Sequence, residues 1–407
     1  MPLTEVEPTI ATEPGQREFQ WTLNFGPQHP ATHTTLRLVL TLEGETVIDA
    51  VPDIGYLHSG FEKLGEELDF NQYVTIVDRM NYLSPIANEV SWFNSVEKLL
   101  GIELTPRGKY VRTIFAELMR IQDHLLNVGT CALDLGAFTA FLYFFTQRER
   151  IYDLCELASG QRFHSSYMRV GGAMADVTDE WIQKAREFVR GFPRAHADVT
   201  RLLNKNRIFI ERTKGIGVLS KEQAISLGCT GPVARASGVV RDLRKDEPYL
   251  AYNDFDFKVI CAEGGDCYAR YMVRMLEMEE SIKIIQQALE NLPSGPINAD
   301  IGGKVTLPHK LEVYQSIEGL IHHFEQIMPN RGVPTPVEEV YGACESANGE
   351  LGFYIVSDGS NRAYRARTRP PSFIHFGAFP PMIRGHQLSD VVAVLGSINI
   401  IAAELDR

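Results

Sequence analysis

Between Pro106 and about Gly129 the apolar residues Val111, Ile114, Phe115, Leu118, Ile121, Leu125 and Val128 recur at spacings of three and four. That stripe repeats every 3.6 residues, so the stretch must be a long amphipathic helix with one buried face. The same spacing recurs from about Gly60 to Leu100, Gly136 to Ser159, Thr178 to Asn204 and Asp266 to Asn291. Short connectors such as Gly129 to Gly136 favour antiparallel neighbours, so the middle of the chain reads as a helical bundle. On either side the period changes. Trp21 and Leu23, then Leu36, Leu38, Leu40 and Leu42, alternate as half-buried strands do. After Pro293, Val305 to Met328 reads as a strand then a helix. Gly352 to Arg369 reads as a hairpin turning at Ser357–Asn361, and Gly385 to Asp406 as helix. The expected architecture is α+β: a flexible tail at 1–18, an N-terminal β region at 19–59, a central helical bundle at 60–292 and a C-terminal α+β region at 293–407.

Composition removes several functions. With 52 acidic against 40 basic residues the net charge is -12 and no dense Lys/Arg tract occurs, so nucleic acid is not an expected partner. The longest strongly apolar stretch, Cys131 to Phe145, contains Asp134 and falls short of the roughly 20 residues a spanning helix needs. The acidic, Pro/Gly-containing start lacks the apolar core of a signal peptide and reads as a cytosolic tail. The 6 cysteines form no Cys-x-x-Cys, so no cofactor is expected on this chain and any iron–sulfur or nickel centre belongs to another. Cys261 and Cys267, around Gly264 and Gly265, have no histidine beside them to complete a metal site.

Four places could carry chemistry. Pro27 and Pro30 fix their own φ angles and push the residues before them out of the α region, so His29 and His33 should ride on an extended, rigid loop between two strands. Without a helix or further ligands nearby the two histidines make a poor metal pair, which leaves a structural loop or a ligand-facing histidine. In Asp78–Ser84, Arg79 and Tyr82 stand three apart and would share a helix face. Tyr82 offers a hydroxyl that is protonated at neutral pH, and a plain amphipathic position is the alternative. Asp134, among apolar residues, needs a cation or donor; a histidine would suit it, and a helix N-cap is the alternative. Arg162, His164 and Arg169 gather beside Gly171–Gly172, either facing an anionic or redox group or forming a solvated helix end.

Taken together, Asn24–His33, Gly55–Lys63, Arg79–Tyr82, His164–Gly172, Ser357–Arg362 and the terminal Glu404–Arg407 resemble, in order and from residue 21 to the end, the D subunit family of respiratory complex I. That family in turn resembles the large subunit of nickel–iron hydrogenases without its nickel cysteines, and no cysteine stands near Arg79–Asn88 or the C-terminus here. The resemblance implies a hydrogenase large-subunit-like fold in a proton-pumping NADH:quinone oxidoreductase. It places a quinone headgroup between the loop of His33 and the segment of Tyr82, with Asp134 holding the histidine and Ile401 lining the pocket. Arg79 and His164 match positions facing the terminal [4Fe-4S] cluster of the neighbouring, cluster-bearing B subunit. The C subunit, the ferredoxin-like I subunit and the membrane-embedded H subunit are the other implied partners. NADH reacts elsewhere in such a complex, which sits peripherally at the cytoplasmic face of the bacterial inner membrane. The chain departs from the family's usual pattern at Thr34 (Gly), at Asn81 (Asp) and along Asn399–Glu404, where Asp-Ile-Val-Phe-Gly-Glu is usual.

Overall fold

The computed structural model describes residues 9–10, 19–33, 35–300, 307–328 and 332–407. Its axis is the helix Pro106–Asp134. Thr105 starts it, accepting the Gly108 N–H on its hydroxyl at 3.0 Å, and Pro106 occupies the first turn, where a missing N–H costs nothing. Around it pack Phe138–Ser159, Cys267–Glu290, Pro85–Leu100 and Leu388–Ile398. The helix passes Gly129, where an end was expected, and runs to Asp134. Gly129 instead faces Phe141 and Phe144 of the antiparallel helix Phe138–Ser159, so its missing side chain serves close packing. A glycine inside a helix costs only about 1 kcal/mol, which that packing offsets.

The expected helices Thr178–Asn204 and Asp266–Asn291 are present as Asp179–Asn204 and Cys267–Glu290. Thr178 and Asp266 cap them by accepting the N–H groups of Trp181 and Ala269. The stretch Gly60–Leu100 differs from expectation. It breaks into Phe61–Glu67, Val74–Val77 and Pro85–Leu100, and residues 78–84 are turns. Pro85 disfavours helix at Ser84, which takes φ -133° and ψ 63°. Arg79 and Tyr82 therefore share no helix face. The apolar end also breaks, into Leu388–Ile398 and Ala402–Asp406, because Asn399 adopts a left-handed conformation at φ 55°. Asn tolerates that region better than most side chains.

Besides a two-stranded ribbon pairing Met168–Arg169 with Gly172–Ala173, two larger antiparallel sheets among the described residues flank the helices. The first runs in chain order through Thr9–Ile10, Phe19–Phe25, Arg37–Glu43 and Thr46–Asp53, with Leu38, Leu40 and Leu42 all 0% exposed, as their alternation requires. Apart from Thr9 and Ile10, the expected tail lies outside the described residues. The second sheet joins the expected hairpin, Glu350–Ser357 with Ala363–Arg369, to the further strand Glu339–Glu345. The strand expected from Val305 begins outside the described residues; after it come the helices Lys310–Gln315 and Ile317–Ile327. The two sheets and the helices share one apolar core extending from Phe25 to Leu405. Among the described residues no helix is long and apolar enough to cross a membrane.

Charge is buried inside this core. Arg112, 1% exposed, is held by both oxygens of Glu97 at 2.8 and 2.7 Å, and it donates to the carbonyls of Arg169 and Gly172. Removing one partner of such a pair strands a desolvated charge. Glu97→Ala should therefore destabilise the chain by about 3–5 kcal/mol, against about 1 kcal/mol for the lost cap in Thr178→Ala. Urea unfolding of the two variants measures the difference.

Candidate functional site

The loop carrying the histidines is tighter than the extended segment expected. It contains a cis Gly26–Pro27 peptide and a single 3-10 turn at Pro30–Thr32. Gly26 has φ 98°, and a side chain there would run into the Leu36 carbonyl. His29 supports the turn: its Nδ1 accepts the Ala31 N–H at 3.2 Å, and its ring lies 4.2 Å from that of Phe25. Thr32 donates its hydroxyl to the His29 carbonyl at 2.8 Å. The turn ends with His33 in a left-handed conformation at φ 55°, which swings the imidazole away from its own loop. Its Nε2 lies 2.5 Å from Asp134 Oδ2. Asp134 is the last residue of the long helix and not an N-cap. A carboxylate at that end opposes the helix dipole, so a positively charged partner is what the position needs.

Tyr82 reaches the same helix by another route. The turn around it is tied down through its neighbours, while Tyr82 itself is partly buried against the core. Asn81 Nδ2 donates to Asp123 Oδ2 at 3.2 Å, the Ser84 hydroxyl joins the same oxygen at 3.3 Å, and Gln122 donates to the Leu83 carbonyl at 2.8 Å. From the opposite side Asn399 Nδ2 donates to Asp123 Oδ1 at 2.7 Å. Asp123 and Asp134 are eleven positions apart, about three helical turns, so they lie on one helix face about 16 Å apart. Asn127, between them, donates to the Gly396 carbonyl at 2.8 Å. One helix face thus fixes the His33 loop, the Tyr82 turn and the C-terminal segment.

In that C-terminal segment Ile401 is 3% exposed and its N–H donates to the Ser372 hydroxyl at 3.3 Å. The same hydroxyl donates to Glu404, a fully buried carboxyl. Burial is the main force on Glu404, and the charge of Asp123 adds to it. Together they outweigh the Ser372 hydrogen bond and push the group up to about 8.

The remaining candidates form a third group. Arg79 is exposed, and its guanidinium donates to the Thr75 carbonyl. His164 is half-buried against Phe163, and its Nδ1 is enclosed with no partner among the described residues. Burial, then the nearby charge of Arg79, depresses its proton affinity, so the ring is neutral at pH 7. Arg169 turns inward to the carbonyls of Ser166 and Met168. Arg162 instead pairs with Glu149 and Asp153 on the surface, as a solvated helix end would. Among the described residues no group of three or more His, Cys, Asp or Glu is placed to hold a metal ion.

Sequence reasoning does not single out Asp123 or Glu404. Asp123 sits in Arg120-Ile121-Gln122-Asp123-His124, a run polar enough to pass for a solvent face, and Glu404 stands only as part of a terminal motif.

Comparison with known proteins places the chain. The family model described as respiratory-chain NADH dehydrogenase, 49 Kd subunit, matches residues 134–407. The chain belongs to that family. The D subunit of the NADH-quinone oxidoreductase of Geobacter metallireducens is 48% identical over 386 residues, covering 95% of this chain and 98% of the relative. That of Ehrlichia chaffeensis is 47% identical with the same coverage. The D subunit numbered 1 in Chloroherpeton thalassium is 47% identical over 385 residues, 95% of this chain and 87% of its own. The chain is thus a subunit of the NADH-quinone oxidoreductase complex.

Of the positions named above as departures from the expected pattern, Thr34 lies outside the described residues. Asn81 and Asn399 meet on one carboxylate, Asp123, and both donate an N–H to it. Placing an acid at either position would set carboxylate against buried carboxylate. Asn399→Asp alone should cost about 3 kcal/mol at neutral pH and less in acid, as read by thermal unfolding. Glu404 gives an opposite-signed test. The folded chain keeps its proton up to about 8, while the unfolded chain loses it near the ordinary 4.5. Wild type therefore loses stability as pH rises through that window, by roughly 1.4 kcal/mol per pH unit. Glu404→Gln should lack this slope, so its stability relative to wild type should grow from pH 4.5 to 8.

Proposed function

We propose that this subunit forms the quinone-reduction site of its complex, with His33 and Tyr82 as the two protic groups that bind the quinone carbonyls and supply protons. The observation that carries this reading is the contact of His33 Nε2 with Asp134 Oδ2 at 2.5 Å. Reducing a quinone to a quinol takes two electrons and two protons, and its two carbonyl oxygens lie at opposite ends of the ring. Two separate donors suit that geometry. With Nε2 committed to Asp134, the carboxylate fixes the orientation of the imidazole, and Nδ1 is the atom left to face a quinone carbonyl. Tyr82 faces the other with its hydroxyl. Ile401, buried beside Ser372, shapes the pocket from the C-terminal side.

The electrons come from the terminal [4Fe-4S] cluster of the cluster-bearing B subunit, which Arg79 and His164 face. A positive charge and a neutral, half-buried imidazole there favour the reduced cluster, and protonation of the ring would couple its potential to pH. In this reading the fold corresponds to that of the nickel–iron hydrogenase large subunit, with quinone chemistry in place of nickel chemistry. The cluster-bearing, C, ferredoxin-like I and membrane-embedded H subunits surround the chain, peripheral to the cytoplasmic face of the bacterial inner membrane. NADH is oxidised elsewhere in the complex, and quinone reduction drives ion pumping in the membrane partners.

In the assembled complex, Tyr82→Phe and His33→Ala should each lower quinone reductase activity on the order of 100-fold, the usual scale for a lost general acid. Oxidation of NADH by an artificial acceptor that takes electrons upstream should persist. Full quinone reductase activity in both variants would sink the assignment; equal loss of both activities in a complex of normal subunit content would also count against it.

A further inference from the structure

Directly behind Arg79 and His164 lie two acids that neither the family resemblance nor the proposed quinone chemistry employs. Asp78 follows the short helix Val74–Val77, Glu89 lies in the helix Pro85–Leu100, and both are 0% exposed. Each spends one oxygen on the segment after His164. Asp78 Oδ2 accepts the N–H of Ser166 at 2.9 Å and its hydroxyl at 3.2 Å, and Glu89 Oε2 accepts the N–H of Met168 at 2.6 Å. The other oxygens, Asp78 Oδ1 and Glu89 Oε1, are enclosed with no donor among the described residues. The two carboxyls lie close enough to act on each other. Both ionised, they would press like charges together without water and leave two acceptors unsatisfied. A single proton between them satisfies both oxygens at once.

We propose that Asp78 and Glu89 share one proton across their facing oxygens, and that they are the positioning pair holding the segment from His164 to Met168 against Arg79. The inference rests on the cluster-facing reading of Arg79 and His164 for its purpose, though not for the proton itself. His164 and Ser166 both have positive φ, 52° and 44°, a left-handed conformation that is strained for residues other than glycine. The segment keeps it because its N–H groups are drawn onto this pair. The groups that face the pair agree with one proton. Arg79 and Arg169 are the nearby cations, and Tyr167, Cys155 and His164 are neutral neighbours. Burial raises both carboxyls, Glu89 furthest. The pair then carries one negative charge near the guanidiniums of Arg79 and Arg169.

Two measurements on the assembled complex test this. Infrared difference spectra, wild type minus Glu89→Gln, should show the carbonyl stretch of one protonated carboxyl, shifted in deuterium oxide; Asp78→Asn should remove the same band. Its absence from wild type overturns the shared proton, whatever the site does with quinone. For the role, Glu89→Leu strands the Met168 N–H and Asp78 together. It should lower quinone reductase activity by about tenfold, the scale of one stranded buried polar group, and move the midpoint potential of the neighbouring cluster. Glu89→Gln keeps an acceptor for Met168 and a donor for Asp78, so it should recover most of both losses. Equal losses in the two variants, or none in the leucine variant, overturn the positioning role.

Discussion

Buried charge on the helix Pro106–Asp134 decides where its neighbours go. Arg112, Glu117, Arg120, Asp123 and His124 are each at most 1% exposed, and every one must find its counterpart in the interior or cost several kcal/mol. Glu117 receives Arg120, Arg244, Ser281 and Tyr252; burial pushes its carboxyl up, but the two guanidiniums prevail and hold it at about 2. His124 meets Glu277, and Arg235 bridges Glu277 to Glu345. Arg120, Arg235 and Arg244 thus stand against Glu117, Asp242, Glu277 and Glu345, with Arg274 also near Glu277. Burial drives Glu345 up, against the pull of Arg235. Apolar packing alone would let these elements slide past one another. Paired charges do not, because a slip of one residue parts several at once.

The same rigidity reaches the proposed quinone site. A turn such as Gly26–His33 has little packing of its own, and the turn of Tyr82 lies outside any helix. Each is positioned by a carboxylate of the long helix, Asp134 for one and Asp123 for the other. Their spacing is therefore set by helical rise and not by loop length, which is the sounder way to hold two groups at a fixed separation. Asn399 adds the C-terminal segment to the same carboxylate, and its left-handed backbone is what ends one helix and lets the next begin beneath Ser372.

Much of this is legible in the sequence, for identifiable reasons. The stripe from Val111 to Val128 locates the axial helix because apolar periodicity reports directly on the buried face. The alternation of Leu36 to Leu42 locates a strand in the same way. The need of Asp134 for a histidine follows from the cost of an unpaired acid, and the structure supplies His33. The turn of Tyr82 reads wrongly as helix, because a favourable pattern there hides the effect of Pro85 on the residues before it. Asp78, Glu89, Asp123 and Glu404 are invisible for a different reason. A polar residue within a helical run looks solvent-facing unless its partner is known. The partners of Asp123 are 39, 42 and 276 residues away in sequence, and that of Glu404 is 32.

Burial separates two kinds of acid and base in the proposed site. His33 is 33% exposed at its side chain, so a proton it gives to quinone can be replaced from water. Glu404 and the pair of Asp78 and Glu89 have no such access. Ionising any of them would place a new charge in a medium that screens it poorly, next to Asp123 in one case and within a closed pair in the other. In the proposed site their protons would stay in place while electrons pass, keeping the surrounding charge constant. The protons that move would then come from a group that water can refill, such as His33, held in position by the rigid, charge-paired interior.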